Sequence, residues 1–140
     1  MKYIKLFVLI GIAVMEIHSF AATQEERLAE LERIALYEES DWIDENEVIP
    51  TPDDAKKKFN LTDAELYNDI LALANKYTIS ETNQENRVCR SIAVGWVGYY
   101  GTTNALPYLR NIMYNKNDYA QRHSMTIVLH KMKLTNLLIP

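Results

Sequence analysis

From Val88 to Tyr100 the chain is apolar on nearly every side of a helical projection: Val88, Cys89, Ile92, Ala93, Val94, Trp96, Val97, Tyr99 and Tyr100. A helix of that kind must be surrounded by others, so it dictates what the rest of the chain has to supply. The neighbours are present as amphipathic segments. Leu66, Ile70, Leu73 and Tyr77 recur at helical spacing, as do Leu28, Leu31 and Ala35 with Ile34 beside them. Leu106, Leu109, Ile112 and Met113 form another such face, and Met125, Val128, Leu129 and Met132 a last one. No segment shows a competing strand pattern, so the spacing predicts an all-α fold.

Local signals place the helix ends. Thr62 and Glu65 form a capping box, with Leu61 placed to staple onto Leu66. Thr82 and Glu85 repeat the pattern ahead of the central helix, and Gly101 is a natural stop after it. Thr51 suits a cap and Pro52 a first helical position; Asp53 and Asp54 sit at the favoured end, with Lys56, Lys57 and Lys58 at the other. Asn104 or Thr103 starts the next helix, with Pro107 in its first turn. After the turn Asn115-Lys116-Asn117, Asp118 is placed to cap a final helix, with Gln121 three residues on. Gly95 and Gly98 each cost about 1 kcal/mol of helix propensity, which points to a close neighbour.

The first residues read as an address. Met1 to Lys5 carries positive charge, Leu6 to Met15 is unbroken apolar sequence, and Ser19-Phe20-Ala21 places small residues at −3 and −1. That is the secretory pattern, with cleavage expected after Ala21. The apolar run is too short for a span, and no Cys follows it to carry a lipid. The expectation is a secreted or periplasmic product, residues 22–140, with no stable membrane span. Export implies an oxidising compartment, yet Cys89 has no second cysteine to pair with and reads as a buried small residue. Asn60-Leu61-Thr62 is also a glycosylation sequon, relevant only in a eukaryotic secretory pathway.

Charge is segregated. Residues 22–54 carry twelve acidic and two basic side chains, net −10, whereas 55–140 is net +5. The expected organisation is a signal peptide at 1–21, an acidic helix and linker at 22–50, and a helical domain at 51–140. In the linker, Trp42, Ile43, Val48 and Ile49 are candidate anchors. A solvated acidic arm is one expectation; an arm folded back on a basic face is the other. The total of −4 argues against a general nucleic-acid binder.

Arg90, Ala93, Val97 and Tyr100 are matched thirty-two residues later by Arg122, Met125, Leu129 and Met132. Cys89-Arg90-Ser91-Ile92-Ala93, then Val97-Gly98-Tyr99-Tyr100-Gly101, then Ala105-Leu106-Pro107-Tyr108-Leu109 resembles a HEAT-like repeat junction. Arg90, Ala93, Gly98, Gly101, Ala105, Pro107 and Leu109 fall on the family's positions, and Asp118 fits the acidic turn before a second helix. The match departs where Cys89 replaces valine and His130 stands in place of a second Gly98, and it covers about residues 62–133. The resemblance implies a short right-handed stack of antiparallel helix hairpins, a HEAT-like α-solenoid with an N-terminal acidic helix. It further implies a scaffold role.

Catalytic motifs are absent: there is no Gly-rich phosphate loop, no Gly-x-Ser-x-Gly and no His-Glu-x-x-His. The acidic run Asp41 to Glu47 lacks the spacing of a calcium loop. His123 and His130 share a helix face, but two ligands make no metal site without a third. The reading is a non-enzymatic protein-interaction module without metal or cofactor, with Arg87, Arg90, Arg110, Arg122, His123 and His130 as candidate contacts. Tyr99, Tyr100, Tyr108, Tyr114 and Tyr119 add contact-prone rings near the turns. The alternatives are a small enzyme or subunit using His123 and His130, and a regulator whose acidic arm fills its own groove. Leu134, Leu137, Leu138 and Ile139 leave an apolar C-terminus to dock.

Overall fold

The computed structural model describes residues 21–38 and 48–120. The expected leader, most of the expected linker, the expected final helix with Arg122, His123 and His130, and the C-terminal residues lie outside them. Within them the chain is all-α: α1 (Gln24–Glu38), α2 (Pro52–Phe59), α3 (Asp63–Lys76), α4 (Gln84–Tyr100) and α5 (Leu106–Tyr114), with a 3-10 turn at Thr103–Ala105. Helix α4 is the centre, as its composition requires. Nine of its residues are buried, from Cys89 to Gly98. Helix α3 packs against it most extensively, α1 lies across both, and α5 closes another side.

The helix starts follow side-chain chemistry. Thr62 caps α3: its hydroxyl accepts from the Glu65 N–H at 3.2 Å, and the Glu65 carboxylate accepts from the Thr62 N–H at 2.8 Å. Asp54 returns to the Thr51 N–H at 2.8 Å and to its hydroxyl at 3.0 Å ahead of α2. Thr23 and Glu26 make the same reciprocal pair at α1. Asn60 ends α2 in the left-handed conformation, φ 53°, which asparagine tolerates better than most residues.

Two expected ends differ. The cap of α4 is Asn83, whose side chain accepts from the Asn86 N–H at 3.1 Å. Thr82 is instead drawn into a turn in which Glu81 accepts the N–H groups of Thr82 and Asn83. Asn83→Ala should therefore lower stability by about 1 kcal/mol in urea unfolding and Thr82→Ala by almost nothing. Equal losses would restore Thr82 as the cap. Helix α5 begins at Leu106 after the 3-10 turn, which Thr102 caps in place of Thr103 or Asn104. Pro107 still falls in the first turn, where its missing N–H leaves no bond unmade. Gly101 does end α4, but at φ −76°. Its lack of a side chain is explained by crowding: a Cβ there would strike the Val97 carbonyl and lie 2.6 Å from the Ala105 Cβ.

The acidic helix is no separate arm. Leu31, Ile34 and Ala35 of α1 are buried in one core with Ala55, Leu66, Ile70, Leu73, Val94 and Val97. The expected boundary at Pro50 therefore divides residues that share a core. An apolar stripe docks α1, and ion pairs flank it. Arg27 of α1 donates Nε to Asp69 Oδ2 at 2.6 Å and Nη1 to the Ala22 carbonyl at 2.8 Å. Glu32 accepts from Lys76 at 2.7 Å and from the Tyr77 hydroxyl at 2.6 Å. Lys58 reaches Glu30 at 2.9 Å, and Arg33 reaches it at 2.8 Å.

Those last two contacts hold the Glu30 carboxyl down from 4.5 to about 2, chiefly through the hydrogen bond from Arg33 and then the one from Lys58. A carboxyl held low in the folded state adds stability above its free value. That contribution fades as pH falls from about 4.5 toward about 2. Thermal melts between pH 6 and pH 3 should show a falling Tm, and Glu30→Gln should flatten part of that slope. An unchanged slope in the variant would remove Glu30 as its source.

Candidate functional site

Helix α4 ends with aromatic residues on the side that faces the start of α2. Trp96, Tyr99 and Tyr100 are spaced three and four residues apart, so they share a face one turn deep. Opposite them run Ile49, Pro50, Thr51, Pro52 and Asp53, held in place by the Thr51–Asp54 bonds. Between the two walls, with Gly95 also lining it, lies a cavity of about 430 Å³. That falls within the range of ligand-sized hollows.

The lining is graded in exposure. Trp96 is 7% exposed and anchors the base, whereas Tyr99 is 51% and Ile49 42% exposed. Val48, next to Ile49 in the chain, is 88% exposed. The Tyr99 and Tyr100 rings meet edge to face, centroids 4.9 Å apart. Tyr100 and Asp53 line the two walls, close enough for the Asp53 charge to act on the phenol. Burial first, and then the Asp53 charge, keeps that phenol protonated well above its ordinary range. The groove thus has fixed ring faces, a pinned far wall and one exposed carboxylate.

A second, shallower hollow lies between α1 and α2, lined by residues including Glu30, Arg33, Lys58 and Phe59. Its charged groups pair with one another, as described above.

The residues singled out from the sequence are dispersed. Arg90 is 5% exposed and makes a two-pronged pair with Asp118, itself 4% exposed; one prong, Nη2 to Oδ2, is 2.7 Å. Asp118 also accepts from the Ala120 N–H at 3.0 Å. Arg90 is therefore an internal strut with no face left for a partner. Arg87 and Arg90 both lie over the Tyr119 ring, at 4.7 Å and 5.2 Å from its centroid. Arg110 is exposed on α5, away from the aromatic groove. Arg122, His123 and His130 lie outside the described residues.

Cys89 is 2% exposed, and its thiol faces the Glu32 carbonyl at 3.9 Å. Burial, then the charges of Glu32 and Glu85, push it up to about 11, so it stays a thiol at neutral pH. Among the described residues no three His, Cys, Asp or Glu side chains gather as a metal site would need. No helix among them is long and apolar enough to cross a membrane.

The Pro-Thr-Pro wall was not among the expected contact residues, although Tyr99 and Tyr100 were noted as contact-prone. Pro50-Thr51-Pro52 preceding one helix and a Trp-x-x-Tyr-Tyr run ending another were the available signals. Only the tertiary fold, which brings the start of α2 beside the end of α4, makes them one site. Compared with family models, with curated proteins and with solved structures, the chain finds no match.

Proposed function

We propose that the chain is an exported, non-enzymatic protein-interaction module, a scaffold or adaptor whose hairpins stack in a HEAT-like manner. The observation that carries this reading is the aromatic groove. Single exposed apolar side chains are ordinary on a surface, but here Ile49 and Tyr99 line one hollow together with a buried tryptophan. Buried aromatic anchors ringed by half-exposed ones are what the energetic centres of protein contacts use. The secretory pattern at 1–21 supports action in a secreted or periplasmic setting, and the overall charge of −4 favours a protein partner over nucleic acid.

A photo-reactive benzoylphenylalanine placed at position 99, with position 110 on α5 as control, tests the reading in the native secretory compartment. The expected result is one protein adduct from position 99 alone. Excess unlabelled wild-type protein should compete it away, and Tyr99→Ala protein should not. No adduct, or the same adducts from both positions, would overturn it.

A further inference from the structure

We draw no further inference here: the strongest candidate, the aromatic-lined groove between the start of α2 and the end of α4 with Ile49, Trp96 and Tyr99 on its walls, carries nothing beyond the reading above because nothing in the structure shows what covers it.

Discussion

Replacing Asp118 by alanine is expected to destabilise the domain by about 3–5 kcal/mol. The loss is large because Arg90 cannot follow its partner's departure. Its guanidinium is held between α4 and the turn after α5, at 5% exposure, over the Tyr119 ring. Without the carboxylate it becomes an uncompensated charge in a poorly solvated place, and the Ala120 N–H loses its acceptor as well. The same reasoning separates the pair's net value from the cost of breaking it. Arg90→Met combined with Asp118→Leu should recover much of the loss, since packed apolar groups replace buried ion pairs at little net cost. Urea unfolding of the two single variants and the double variant measures this. A loss under about 1 kcal/mol for Asp118→Ala would mean the pair is far better hydrated than its burial indicates.

The second large effect concerns α1. Ile34→Ala should cost about 2–5 kcal/mol, because the side chain is fully buried and the site cannot close over the gap. Domains of this size hold only about 5–15 kcal/mol in total. Removing residues 22–38 strips Leu31, Ile34 and Ala35 from the core together, and leaves Asp69 without Arg27. The truncated chain should show no cooperative thermal transition. A self-inhibited regulator would behave oppositely, folding normally and binding more tightly once its arm was cut away. A cooperative melt at undiminished Tm in the truncated protein would favour that view and return α1 to the status of an appendage.

These expectations mark how far the sequence carried. The central position of α4, the apolar stripes of α1 and α3 and the Thr62 cap were all legible, because periodicity and capping act over a few residues. The cap of α4 was misplaced by one because Thr82 and Asn83 are both competent, and Glu81, outside either motif, decides between them. The acidity of α1 suggested an arm, yet its inner stripe was what determined its place; charge composition says little about a helix whose opposite face is buried. Arg90, a candidate contact on the sequence, is buried. Its partner stands 28 residues away, beyond the reach of any local pattern. The groove was hidden for the same reason: its two walls are more than forty residues apart in sequence, and neither alone is unusual.

The docking of α1 also has a consequence in time. Its partners come late: Asp69 lies 42 residues after Arg27, Tyr77 45 after Glu32, and Cys89 57 after Glu32. A chain that emerges from its amino end presents Leu31, Ile34 and Ala35 long before anything exists to cover them. At ordinary synthesis rates that interval is about 2–11 seconds. For those seconds the stripe is a sticky, unfinished surface, and keeping it soluble falls to whatever escorts the chain. The dense acidic charge on the other side of the same helix is well placed to help, since like-charged nascent segments repel one another until the later helices arrive.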